Sequence, residues 1–134
     1  MCAVAEICGE RVSVDFSQML FGAVLSCLVA LLFTVALRER HIGILVTTGL
    51  AALVMPLIWN SILNVTGAIG VFSRDLPFPA FPISWQDTGS GVFTLAGASV
   101  ALMIGAARNF RPRRIAALAL ATAAAALVVD VYFY

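Results

Sequence analysis

The sequence predicts an all-α polytopic membrane protein: four transmembrane helices arranged as two hairpins, with a Pro- and aromatic-rich extracytoplasmic loop between helices 2 and 3. Three observations predict it. Of the 134 residues, 62% are hydrophobic and 11% charged, whereas soluble domains carry about 25% charged residues. Residues 16–37, FSQMLFGAVLSCLVALLFTVAL, run without a charge and are long enough to cross a hydrocarbon core as a helix. Three more apolar runs follow, set apart by two short Arg-bearing turns and one long loop. The chain, 1–134, reads as a single transmembrane domain.

Residues 1–15 form a mildly acidic arm. It lacks the basic start and the small-residue cleavage site of a signal peptide, so the first span is expected to be retained. Asp15 or Ser13 is placed to cap that span, since their oxygens accept from orphan N–H groups at a helix start. Cys2 and Cys8 would pair only if this arm faces an oxidising compartment, and Cys27 reads as a small buried hydrophobe. The first span, 16–37, carries Gly22, Ser26 and Ala30 four residues apart. Such a stripe lets a second helix approach closely, and packing is what drives helix association in lipid.

Arg38-Glu39-Arg40-His41 is a tight polar turn. The second span, 42–67, is longer than a bilayer needs, and Pro56 is its expected kink. Its far end is polar, with Asn60 and Asn64 on one face. In residues 68–90, Pro77, Pro79 and Pro82 exclude a regular helix around Phe78 and Phe81. This loop ends in Trp85-Gln86-Asp87 and is expected to fold onto the membrane surface or the bundle. The third span, 91–107, carries a stripe of Gly97, Ala101 and Gly105. After the Arg-rich turn, the fourth, 114–132, is rich in alanine, with Ala117, Ala121 and Ala125 on one stripe.

Charge sets the expected orientation. All eight basic residues are Arg. Two lie in the first turn, four in the turn between spans three and four, and only Arg11 and Arg74 on the other side. Positive residues are held in the cytoplasm, so both turns are expected inside and both termini outside. Trp59, Trp85, Tyr132 and Tyr134, all the Trp and Tyr of the chain, then fall at the outer interface, where such side chains concentrate. The expected location is the plasma (inner) membrane of a bacterium. Anionic lipid headgroups are the expected partners of Arg38, Arg40, Arg111, Arg113 and Arg114; nucleic acid is not.

The chemistry is sparse. His41 is the only histidine, too few for a zinc or bis-histidine haem site. It lies across the membrane from Asp75, Asp87 and Asp130, which excludes a Ser/His/Asp triad. No catalytic residue, cofactor or metal site is predicted. The candidate ligand or partner surface is the outer group Asn60, Asn64, Arg74, Asp75, Trp85, Gln86, Asp87 and Asp130. The expected function is a small non-catalytic accessory or structural subunit of a larger membrane complex, with other membrane subunits as partners. Two alternatives are a carrier or flippase-type component for a lipid-linked or apolar substrate, and a membrane enzyme using the outer carboxylates.

Overall fold

The computed structural model describes residues 14–77 and 83–133. Cys2, Cys8, Ser13, Phe78, Pro79, Phe81, Pro82 and Tyr134 lie outside them, and so do the expectations attached to those residues. The described residues hold α1 (Phe16–Ala36), α2 (Ile42–Thr66), α3 (Ile69–Phe72), α4 (Trp85–Ile104) and α5 (Pro112–Phe133). All but the one-turn α3 are long and apolar enough to cross a membrane. Large apolar side chains such as Phe21, Leu28, Leu32, Leu50, Val100 and Leu120 are exposed on all four long helices. In water that would be an aggregation surface; against lipid tails it is the normal outer face of a membrane bundle.

α1 packs on α2, α2 on α4, α4 on α5, and α5 on α1. Across the middle α2 meets α5, whereas α1 and α4 do not touch. The bundle is therefore a rhombus with α2 and α5 on its short diagonal. The alanines of α5 explain its place. Ala119, Ala123, Ala125 and Ala126 are buried together with Leu118, Thr122 and Val129, and small side chains let three neighbours approach one helix. One core cluster joins Ile44 and Ala51 of α2 to Ala98 and Leu102 of α4 and to Leu118 and Ala119 of α5.

Local chemistry accounts for the helix ends. α4 starts at Trp85, not at 91, because Ser84 and Asp87 form a capping box: the Ser84 hydroxyl accepts from the Asp87 N–H at 3.1 Å, and the Asp87 carboxylate accepts from the Ser84 N–H at 2.8 Å. Residues 85–90, expected in the loop, are thus the first turns of α4. The rest of the loop is also shorter than expected, since α3 occupies part of it. Its base is closed by an isolated bridge between Asp75 and Ser84. α5 starts at Pro112 rather than 114; proline suits the first helical position because its missing N–H would be unpaired there anyway. α2 continues through Pro56 as one helix and ends on Gly67, whose φ of 69° lets the Ala68 N–H reach the Leu63 carbonyl. Asp15 occupies the N-cap of α1 without a side-chain cap bond; its carboxylate instead accepts from the Ser17 hydroxyl.

The small-residue stripes divide. Gly22, Ser26 and Ala30 are all buried. On α4 the buried line is Ser90, Thr94, Ala98 and Leu102, one residue round from the expected Gly97, Ala101 and Gly105. Gly97 and Ala101 are half-buried, and Gly105 lies exposed past the helix end. On α5 Ala125 is buried, Ala121 half-buried and Ala117 exposed.

Candidate functional site at the loop end of the bundle

The end of the bundle carrying the long loop concentrates the polar side chains, and α4 begins by presenting them. Its capping box sets the register that turns Gln86 toward α2. The Gln86 amide donates to Asn60 Oδ1 at 2.8 Å, and Asn60 Nδ2 donates to the Pro56 carbonyl at 3.1 Å. Trp59, one residue before Asn60, donates its indole N–H to the Gln86 carbonyl at 3.1 Å. Its ring meets Phe72 edge-on at 5.6 Å and Phe93 at 5.7 Å. Gly89 makes this possible, because a Cβ there would collide with the indole. The result is a knot between α2, α3 and α4, and Asn60 is buried inside it.

Asn64 has a different task. Its side-chain amide accepts from the Val14 N–H and donates to the Val14 carbonyl, both at 3.2 Å, so it pairs with one residue's backbone as a neighbouring strand would. It also approaches Met19 Sδ at 3.4 Å. Asn64 therefore ties the segment entering α1 to the end of α2. Asn60 and Asn64 share a helix but hold different partners.

Asp130 comes from the last turns of α5 and is half-buried. α5 runs along α4 at this end, with Leu127 set against Gly91. Ser90 is buried, and its hydroxyl has no hydrogen-bond partner among the described residues; the same holds for Thr94 one turn further along α4 and for Ser26 on α1. The structure thus joins Asn60 with Gln86, and Asn64 with the segment entering α1. Arg74 and Asp75 stand exposed at the loop base, and Trp85 is 49% exposed. Arg74 makes no ion pair with Asp130: among the described residues the one ion pair is Arg114–Glu39, at the opposite end.

At that arginine end, Arg38, Arg40, Arg111 and Arg113 are exposed. Arg114 reaches inward to the buried Glu39 and lies 4.9 Å over the Phe110 ring. Both Glu39 and Ser90 escape a reading based on hydropathy. Glu39 looks like any charge in a polar turn. Ser90 had a signal, since Gln86, Ser90 and Thr94 recur every fourth residue and mark a polar line on an apolar helix.

No group of three His, Cys, Asp or Glu side chains is assembled for a metal among the described residues. A hollow of about 380 Å³ opens between Ser17, Gln18, Phe21 and Phe133 at the loop end. Two apolar grooves run along the lipid-facing side: one of about 420 Å³ between α1 and α2, floored by Cys27, Leu31 and Gly49, and one of about 440 Å³ along Leu57, Ile58 and Ser61 of α2. Comparison with protein-family models, curated proteins and solved structures gives no match for the chain.

Proposed function

We propose that this chain is a non-catalytic accessory or structural subunit of a larger membrane complex. The observation that supports this reading is how its polar side chains are used. Asn60, Gln86 and Trp59 lock α2 to α4, Asn64 locks the entry of α1 to α2, and Glu39 with Arg114 locks the first turn to α5. Groups that would have faced a substrate instead hold helices in place. What remains available is the apolar outside, including the two grooves beside α2, and the exposed Arg74, Asp75 and Trp85 at the loop base. Lipid alone satisfies the apolar part, so the identity of the partner rests on experiment. The proposed setting is a bacterial inner membrane, with two hairpins whose Arg-bearing turns face the cytoplasm and whose termini and long loop face out.

The carrier alternative needs an accessible amide rim, and Asn60 is only 6% exposed and hydrogen-bonded on both sides. The accessory reading is therefore the better supported one. Purification of the full chain from its native membrane in mild detergent, with photocrosslinking from Leu50 and Ile58, tests it. The expected result is one recurrent membrane partner in stoichiometric amount. A chain recovered alone, crosslinked only to lipid, removes the accessory reading.

A further inference from the structure

The arginines at the end of the bundle opposite the long loop divide by what they touch. Arg114 is taken up by Glu39 and by the Phe110 ring. Arg38 and Arg40 stand on either side of Glu39 in the α1–α2 turn and are exposed. Neither makes an ion pair among the described residues. The neighbouring turn adds Arg108 and Arg111, and it is held beside the first by the Arg114–Glu39 pair and by Ala106 set against Gly43. The two turns and the start of α5 together hold six arginines and one glutamate. Such a face attracts anions that sit at the level of the membrane surface.

The groove of about 420 Å³ between α1 and α2 begins at this turn. Ile42, the first residue of α2, lines it and follows Arg40 by two positions. Leu45, Val46, Gly49 and Leu50 continue it along α2, and Leu31 and Cys27 form the α1 side. Gly49 makes the floor: a Cβ there would stand 3.3 Å from Leu31 Cδ2 and 3.4 Å from Cys27 Sγ. Ile42, Val46 and Leu50 are exposed walls. At 1.5 Å per residue the groove follows α2 for about 12 Å, close to the depth of one leaflet, about half of a 30 Å hydrocarbon core. The turn carrying Arg38 and Arg40 closes the surface end of the groove, because it joins the two helices that form the walls.

We propose that this turn and groove form a binding site for one anionic phospholipid: Arg38 and Arg40 receive the phosphate of its headgroup, and one acyl chain lies in the groove between α1 and α2. Guanidinium groups match phosphate oxygens in charge and geometry. A zwitterionic headgroup brings its own cation toward the arginines and fits less well. A spanning helix of another protein is about 10 Å wide and crosses both leaflets, whereas the groove ends after about one. The site does not rest on the accessory reading. A subunit seated against Ile58 leaves the Ile42–Leu50 groove to lipid, so the two readings fail separately.

The test uses the full chain in nanodiscs of phosphatidylglycerol and phosphatidylcholine in equal amounts, with identical acyl chains. Native mass spectrometry counts the lipid retained after release from the disc. The wild type is expected to keep one phosphatidylglycerol in preference to phosphatidylcholine. Each arginine beside an anionic lipid contributes about fivefold in affinity. Arg38→Gly combined with Arg40→Gln is therefore expected to weaken retention roughly twenty-five-fold, and glycine suits the φ of 61° at that position. Should the double variant not fold, Arg40→Gln alone is expected to lose about fivefold. Val46→Trp fills the groove and is expected to weaken retention with both arginines in place. Ile62→Trp, in the second groove along α2, is expected to match the wild type. Free glycerol 3-phosphate is expected to leave the lipid bound, since it lacks the chain. Equal retention of the two lipids, an unaffected arginine variant, equal effects of the two tryptophans, or displacement by glycerol 3-phosphate overturns the proposal. So does a photoreactive side chain at Val46 that captures a membrane protein instead of phospholipid in the native membrane.

Discussion

Glu39 receives the guanidinium of Arg114, 75 residues further along the chain, and this pair ties the α1–α2 turn to the start of α5. The two partners are unequally placed, since the Glu39 side chain is 5% exposed and that of Arg114 56%. The turn geometry delivers the glutamate. Arg38 sits at φ 61°, so the Glu39 N–H reaches the Thr34 carbonyl at 3.2 Å and the next side chain swings under the bundle.

Glu39→Gln is expected to destabilise the bundle by about 1–2 kcal/mol. A charge-assisted bond contributes about 1.5–3 kcal/mol, and the exposure of Arg114 reduces that. A double-mutant cycle with Arg114→Gln, read by thermal unfolding in nanodiscs, measures the coupling. Additive effects would show that the pair contributes nothing.

Arg38 is the only non-glycine residue with positive φ among those described. Holding an L-residue there costs roughly 1 kcal/mol, so Arg38→Gly should leave stability equal to the wild type or slightly above it, while Arg38→Val should lower it. A fall in unfolding temperature for the glycine variant comparable to that for valine would count against this account of the turn.

Gly89 and Gly97 separate two roles that look alike in the sequence. A Cβ at Gly89 meets the rigid Trp59 indole, whereas at Gly97 it meets the flexible end of Met55. Gly89→Ala is therefore expected to cost about 1–3 kcal/mol through overpacking, with a change in Trp59 fluorescence. Gly97→Ala should be nearly neutral, because a thioether chain repacks. Equal losses at both sites would contradict the distinction.

Asn60→Leu and Asn64→Leu should fail differently. Interhelical hydrogen bonds in membranes contribute about 0.6 kcal/mol on average and up to about 1.7, so each variant stays folded. Losing Asn60 frees the Gln86 side chain and loosens the Trp59 knot. Loss of Asn64 frees Val14, and hydrogen exchange should speed up at the Val14 N–H while the centre of α2 remains protected. Uniform deprotection of α2 in Asn64→Leu would show that this contact is not local.

Much of this bundle is legible in the chain. Residues 16–37 and 42–67 differ from α1 and α2 by a single residue at one end, because span length and the Arg turns are properties of each segment. The start of α4 is harder to read. Trp85, Gln86, Asp87, Thr88, Gly89 and Ser90 look like loop in a hydropathy profile, yet the Ser84–Asp87 capping box makes them helix. The candidate surface divides for a related reason. Asn60, Asn64 and Gln86 are polar residues near an interface, and nothing in their spacing distinguishes a rim facing solvent from a lock facing another helix.

The stripes show where local reading ends. On α1 the small residues Gly22, Ser26 and Ala30 stand out from larger neighbours, and they are the buried face. On α4 and α5 small residues occur all round, and the buried line runs through Ser90, Thr94 and Ala98 and through Leu118, Thr122 and Ala126 instead. Length and hydropathy suffice to count the spans, because crossing a bilayer is a demand on one helix at a time. Which face turns inward is a demand on four helices together. Lipid tails and the bundle interior are equally apolar, so burial gives no direction, and the choice falls to close packing and to a few polar contacts such as Gln86–Asn60 and Arg114–Glu39.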